Sequence, residues 1–149
     1  MRIKIRSNKN KILPTFDTTI TVLSKLRAVD SSSKKDEWKV TVIENCFFSK
    51  TVIRNVNGNV VSVGGSYICR IPKQYNYLPY NKWKSYKGEY FTISEGDYIV
   101  KGRLFDGEDP TPDTIKTIFR NHFPDVFQVK TFKECTELGL AEHYKIEGV

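Results

Sequence analysis

Hydrophobic and polar residues alternate along much of this chain with the two-residue period of half-buried β-strands. Several short runs of this kind occur within residues 38–102, where they are separated by Asn57-Gly58 and by a long aromatic loop over residues 73–88. Asn-Gly tolerates the positive φ angles of a two-residue type I′ turn. The pattern therefore predicts an extended hairpin with strands over residues 51–56 and 59–63.

The same period predicts strands on both sides of this hairpin. Ile20, Val22 and Leu26 share one face of the first strand, and a later run ends at Pro72, which has no N–H to give to a sheet. His143 is expected to point outwards from the last strand. These strands are predicted over residues 18–28, 38–43, 66–71, 126–132 and 140–147, and residues 91–102 are predicted to form a strand, a turn and a second strand.

One short helix is predicted after residue 110. Thr111 suits the N-cap, Pro112 suits the first helical position, and Pro124 ends the element. About eight short strands with one short α-helix predict an all-β fold, either a small β-barrel or a sandwich. A barrel is favoured because a closed sheet has no free edges.

The composition is that of a single globular domain. The chain has 149 residues, of which 28% are charged and 39% are hydrophobic. No run approaches the ~18 apolar residues of a membrane span. No apolar stretch follows the N-terminal positive charges, as it would in a secretory signal. We therefore expect no membrane contact and synthesis in a cytoplasm.

Basic residues are concentrated at the N-terminus. The formal net charge is +7, and residues 1–16 carry Arg2, Lys4, Arg6, Lys9 and Lys11 before the first acid at Asp17. We divide the chain into a basic N-terminal arm, residues 1–16, and a single β-barrel domain, residues 17–149. The arm is compatible with contact to nucleic acid or an acidic subunit, with a solvated tail, or with an edge strand added to a partner's sheet.

The residue types that most often carry catalysis or bind metals are scattered. Cys46, Cys69 and Cys135 are odd in number and widely spaced, which favours free thiols over a disulfide framework or a zinc site. His122 and His143 have no nucleophile beside them in sequence. No catalytic, cofactor-binding or metal-binding residue is predicted, and the chain is not expected to be an enzyme.

Residues 70–90 interleave aromatic and basic side chains, with Glu89 as the only acid. Aromatic faces stack bases and nearby cations neutralise phosphates, so this composition suits a single-stranded nucleic-acid-binding barrel. It also suits a protein interface anchored by Tyr80 and Trp83. A third interpretation is that the loop folds back over the barrel end with its lysines in water.

The order of these segments resembles that of a family of small head-tail connector proteins, of neck or head-closure type, from tailed phages and prophages of Gram-positive bacteria. The similarity covers roughly residue 17 to the C-terminus and depends on order and spacing more than on any single motif. Its segments are residues 38–46, Val56-Asn57-Gly58, Arg70-Ile71-Pro72, Leu78-Pro79-Tyr80 with Trp83, residues 96–102, residues 127–131, and His143-Tyr144 to Gly148.

The resemblance implies a structural protein of the virion neck, made in the host bacterial cytoplasm. Its partners would be copies of itself in a ring, portal or adaptor proteins, tail-terminator or tail proteins, and DNA in the channel through non-specific contact. A tail-terminator or tail-completion protein is the alternative within this class. The residues predicted to contact partners are Arg2, Lys4, Arg6, Arg54, Asn55, Asn57, Gly58, Asn59, Tyr80 and Trp83.

Overall fold

Strands make up most of the described chain, as the two-residue period predicts. The computed structural model describes residues 2–5, 16–58, 60–73, 77–85, 90–105, 110–135 and 143–149, with the backbone alone at residues 2–5, 52–57 and 60–65. Its strands are β1 (Arg2–Ile5), β2 (Thr18–Leu26), β3 (Glu37–Asn57), β4 (Val60–Pro72), β5 (Tyr98–Lys101), β6 (Val126–Cys135) and β7 (His143–Gly148). Its helices are a 3₁₀ turn (Ala28–Asp30), α1 (Tyr80–Trp83), α2 (Pro112–Lys116) and α3 (Ile118–His122).

Strands β2 to β7 close into a six-stranded antiparallel barrel. The neighbours run β3–β2–β5–β6–β7–β4, and β4 then pairs with β3 again. The first half of β3 pairs with β2 and its second half pairs with β4. Asn45 lies between the two halves at φ +56°, next to a shift in the β2–β3 register. Asn tolerates this left-handed conformation, so β3 bends there and changes partner.

The barrel interior holds the larger of two hydrophobic clusters. Among its members, Ile20 and Val22 come from β2, Phe127 and Val129 from β6, and Ile146 from β7, all with no exposed surface. Alternate residues of several different strands meet inside because each strand turns every second side chain inwards. This cluster contains most of the buried apolar side chains of the described chain and is the main source of its stability.

A second cluster lies on the outside of the barrel, beneath the helices. Leu23 and Val40 point away from the interior and pack with Ile115 of α2 and Ile118 of α3. The Thr111 hydroxyl caps α2 by accepting a hydrogen bond from the N–H of Thr114. Strands β2 and β3 are consequently buried on both faces where the helices cover them.

The mostly β fold and the barrel are confirmed, whereas the number of elements differs from the prediction. The barrel has six strands because runs predicted separately on either side of the hairpin are continuous in β3 and in β4, and because only the second strand predicted within residues 91–102 forms, as β5. The predicted helix is two short helices, since Thr117 at ψ 9° interrupts it. Phe16, assigned to the arm, is 3% exposed and packs against Phe47 and His143.

The hairpin turn lies one residue later than predicted. Asn57 pairs with Val60 and so belongs to the ladder, and Gly58 follows it in the turn, where Asn57 and Gly58 were expected to be the two loop residues. Gly58 takes φ +63°, which a residue without a Cβ adopts readily. The partner of Arg54 is accordingly Val63, where the predicted turn would place Val61. Each partner thus moves two positions along the ladder, and the alternation of faces is kept.

Candidate contact surfaces

The second half of β3 and the first half of β4 form a hairpin that projects from the barrel. Thr51 pairs with Ser66, and the ladder continues to the pair Asn57 and Val60. Strand β7 pairs with β4 only from Tyr67 onwards, so no other described strand accompanies the hairpin beyond that point. At about 3.3 Å per residue, its strands extend roughly 20 Å from the barrel.

The base of the hairpin is anchored, whereas its tip is exposed. The Lys50 ammonium group forms an ion pair with the Asp125 carboxylate, and the Tyr67 ring stacks on Phe127 with centroids 5.2 Å apart. Gly58 at the tip is exposed. A two-stranded hairpin is marginally stable at best in water when nothing packs against it. Contact with a neighbouring molecule would therefore stabilise this element.

The structure places four of the five hairpin contacts that the sequence predicts. Arg54, Asn55 and Asn57 belong to β3, and Gly58 is in the turn. Asn59 lies outside the described residues. All four belong to the projecting part, and their role as contact residues stays a prediction.

The N-terminal contacts lie at the other end of β3. Arg2 and Lys4 belong to β1, which pairs in parallel with β3 so that they lie opposite Val40 and Val42. Arg6 lies outside the described residues. This part of the predicted arm is therefore a strand of the chain's own sheet, and the structure does not bring it together with the hairpin tip.

The described part of the aromatic loop, residues 77–85, folds back onto the barrel, which was the third of the three interpretations of this loop. Trp83 is 6% exposed, and its indole N–H donates a 3.2 Å hydrogen bond to the carbonyl of Tyr90. Tyr77 packs against Phe132 and Tyr144, with ring centroids 4.8 and 5.0 Å away. Trp83 was predicted as a partner contact, but burial removes its ring from the surface because it packs within its own chain.

Tyr80 is tied into the same arrangement. Its hydroxyl donates to the Asp30 carboxylate and accepts from the backbone N–H of Arg27, while the Arg27 guanidinium lies 4.7 Å from its ring centroid. Lys84 forms an ion pair with Asp30 at 3.3 Å. The hydrogen bond from Tyr80 lowers the pKa of Asp30, and burial raises the pKa of Tyr80. An aromatic ring and a cation of this loop are thus engaged internally.

Asp97 is a buried carboxylate that the sequence did not single out. It is 3% exposed, and it accepts hydrogen bonds from the backbone N–H groups of Ser94 at 2.8 Å and Lys25 at 3.1 Å. Burial raises the pKa of Asp97 to about 7. Its place in a Ser-Glu-Gly-Asp turn is the available signal, since Asp side chains often bond to nearby backbone in turns. The contact fastens that turn to β2.

Two of the three cysteines, Cys46 and Cys69, lie in the same hydrophobic cluster. Cys46, Cys69 and Cys135 are free thiols, and burial raises the pKa of Cys46 and of Cys69. His143 is absent from the interior cluster that holds Tyr144 and Ile146, in keeping with the outward direction predicted for it, but it is only 3% exposed because Phe16 packs edge-on against it. In the described part of the chain, no three His, Cys, Asp or Glu side chains are grouped so that they could hold a metal ion.

The family to which the chain belongs follows from its sequence over this whole domain. The model of a family of unknown function, DUF6751, matches residues 15–149. The chain belongs to this family. The match begins one residue before Phe16, so it includes all six strands of the barrel. No curated protein and no solved structure matches the chain. None of the helices in the described ranges has the length and apolar character needed to cross a membrane.

Proposed function

We propose that this chain is a structural protein of the neck of tailed phages or prophages. Copies of it form a ring of head-closure or connector type that joins the portal assembly to the tail. The observation that carries the proposal is the projecting hairpin, whose tip has no other described strand beside it. The resemblance in the order of sequence segments supplies the particular setting, the virion neck.

A hairpin that projects from a barrel suits head-to-tail contacts between identical subunits. Its tip contacts a different surface on the next copy, and such heterologous contacts form a closed ring when the rotation between subunits closes. A ring then meets portal, adaptor or tail proteins through many equivalent contacts, so individually weak interfaces give a durable joint. The role is non-catalytic, and contact with DNA in the channel is non-specific.

A single-stranded nucleic-acid-binding barrel is the less favoured function. Base stacking needs open aromatic faces beside free cations. In the described part of residues 70–90, Trp83 is buried, Tyr77 packs on Phe132, and Lys84 forms an ion pair with Asp30. These contacts leave fewer stacking surfaces than the sequence pattern indicates.

A shortened hairpin tests the proposal. Val52 and Gly65 lie opposite each other in the ladder, so residues 53–64 can be replaced by Asn-Gly, a two-residue turn that suits such a pair. Thr51→Ser, at the base of the hairpin, serves as the matched control. Both proteins are expected to fold with unchanged circular dichroism melting curves, because the deleted part lies outside the barrel.

The functional readout is complementation of a phage or prophage that lacks the gene. The control is expected to restore infectious particles, and the shortened protein is expected to give heads that lose DNA or lack tails. Unfinished tails on normal heads would instead favour the tail-terminator or tail-completion alternative. Full complementation by a folded shortened protein would contradict the proposed use of the hairpin.

A further inference from the structure

A groove with an apolar floor lies between the start of β3 and the start of α2. It has a volume of about 740 Å³. Its apolar lining consists of Trp38 and Ile115, which we call the floor, together with Pro110 and Pro112. Trp38 is half-buried and packs with the second hydrophobic cluster, to which Ile115 also belongs. The groove is therefore held by packed elements on both sides.

Of the four lysines that line this groove, only Lys25 forms an ion pair within the described ranges, and both acids of the groove accept hydrogen bonds. Lys35, Lys39 and Lys116 line it and form no ion pair with any residue in the described ranges. Asp36 pairs with Lys25 at 3.3 Å and accepts the backbone N–H of Ala28 at 2.9 Å.

The second acid of the groove, Glu37, accepts a 2.8 Å hydrogen bond from the Ser33 hydroxyl. The N–H of Ala28 lowers the pKa of Asp36 and the Ser33 hydroxyl lowers that of Glu37, so both acids stay charged but satisfied. Four lysines against two charged acids nevertheless leave the lining of the groove with a net charge of +2, which favours an anionic ligand.

An apolar floor with a cationic rim matches a polypeptide that carries both an apolar side chain and carboxylates. Nucleic acid also carries negative charge, but base stacking needs an open aromatic face. The Trp38 ring already contacts Tyr98, with centroids 5.4 Å apart, and the Lys25 ammonium group lies 6.0 Å from its centroid. These contacts favour a side chain inserted beside Trp38 over a stacked base.

We propose that this groove binds an acidic segment of a partner protein. One apolar side chain of the segment packs on Trp38 and Ile115, and its carboxylates lie beside Lys35, Lys39 and Lys116. The proposal goes beyond the neck role, since it assigns a ligand chemistry to a surface that the hairpin does not use. It is tested in solution on the isolated protein, so its outcome is independent of whether particles assemble.

The test is calorimetric titration of the intact protein with a synthetic, end-blocked peptide of sequence Glu-Asp-Glu-Leu-Asp-Glu-Asp. Lys39→Glu combined with Lys116→Glu is expected to weaken binding about tenfold or more, because two attractive contacts become repulsive. Lys130→Glu combined with Lys133→Glu makes the same change of charge on exposed residues of β6. This control is expected to change binding by less than about twofold at physiological salt, where distant charges are screened.

Two further probes separate the competing occupants. Replacing the central Leu of the peptide by Gly is expected to weaken binding to the unchanged protein, since the apolar anchor is lost. Equal weakening of peptide binding by the groove and control variants would overturn the proposal, as would no binding at all.

Binding of oligo-dT with the same variant sensitivity, in place of the peptide, would make this a nucleic-acid site and overturn the proposal. Peptide binding only after Asp106, Glu108 and Asp109 are neutralised would also overturn it, since the chain's own acidic segment would then be the occupant.

Discussion

The Tyr80 hydroxyl donates a 2.8 Å hydrogen bond to the Asp30 carboxylate, which joins the aromatic loop to the 3₁₀ turn that follows β2. The same carboxylate pairs with Lys84, and the Tyr80 hydroxyl also accepts the backbone N–H of Arg27. The Tyr80 side chain thus provides a hydrogen-bond partner both for the Arg27 N–H and for the charged Asp30 carboxylate. Its removal should loosen the loop while leaving the barrel interior unchanged.

Tyr80→Phe is expected to lower the free energy of unfolding while keeping the fold. The Phe ring retains the contact with the Arg27 guanidinium, but the Arg27 N–H and the Asp30 carboxylate lose a partner. Because this contact is near solvent, the loss should be smaller than for a buried ring. Urea unfolding measures it, and unchanged stability would show that the hydroxyl does not hold the loop.

Trp83→Ala is expected to cost about 3–5 kcal/mol, because the ring is buried and its removal leaves a cavity. Lys82→Ala, at an exposed neighbouring position of α1, is the matched control and should change stability by less than about 0.5 kcal/mol. Both are compared by urea unfolding. A small effect at Trp83 would mean that the loop does not cap the barrel in solution.

Asp97 should make the protein less stable as the pH rises from about 4 to about 7. The folded pKa of Asp97 is about 7 and its ordinary value is 3.8, so between these values the native state binds a proton that the unfolded state has lost. Stability from this group is present at low pH and falls by up to about 1.4 kcal/mol per pH unit within that window.

The measurement is urea unfolding of wild type and Asp97→Asn between pH 4.5 and pH 7.5. Asn cannot titrate, so the difference between the two proteins isolates this carboxyl from other acids. Wild type is expected to lose stability relative to the variant as the pH rises. If the stability of wild type relative to the variant stayed constant or rose with pH, the N–H groups of Ser94 and Lys25 would stabilise the charged form of Asp97 enough to offset burial.

Gly148→Ala should strongly destabilise the barrel. A Cβ there would lie 2.1 Å from the carbonyl oxygen of Gln128 and 2.4 Å from Cδ2 of Phe127, and backbone cannot yield as a flexible side chain does. We expect a loss of at least about 1–3 kcal/mol. Gly58→Asn is the matched control, since Asn tolerates a positive φ and the position has open space around it. Equal, small effects in denaturant unfolding would contradict the close approach of β7 to β6.

The sequence predicted features that depend on local chemistry. The two-residue period predicted the β fold, and Gly58 predicted a tight hairpin because it adopts a positive φ. The local sequence does not determine which turn forms, because Gly58 could belong to an Asn57-Gly58 turn or to a Gly58-Asn59 turn. The pairing of Asn57 with Val60 depends on the whole ladder between β3 and β4.

Features that depend on distant contacts were not predicted. Thr41 is almost fully buried because it shares the inner face of β3 with Ile43, whereas Val40 on the other face packs beneath the helices. His143 was expected outside, yet Phe16 from the other end of the chain packs on it. The burial of Trp83 likewise requires knowing where the loop returns, which neither its aromatic content nor its charge determines.

The neck role is tested most directly by cryo-electron microscopy of particles assembled by the phage or prophage that encodes this chain. We predict a ring of copies of the barrel between the portal and the tail, with the hairpin tip around Gly58 in contact with the next subunit or an adjoining neck protein. Particles with complete, DNA-filled heads and attached tails that contain no copy of the barrel would contradict the account.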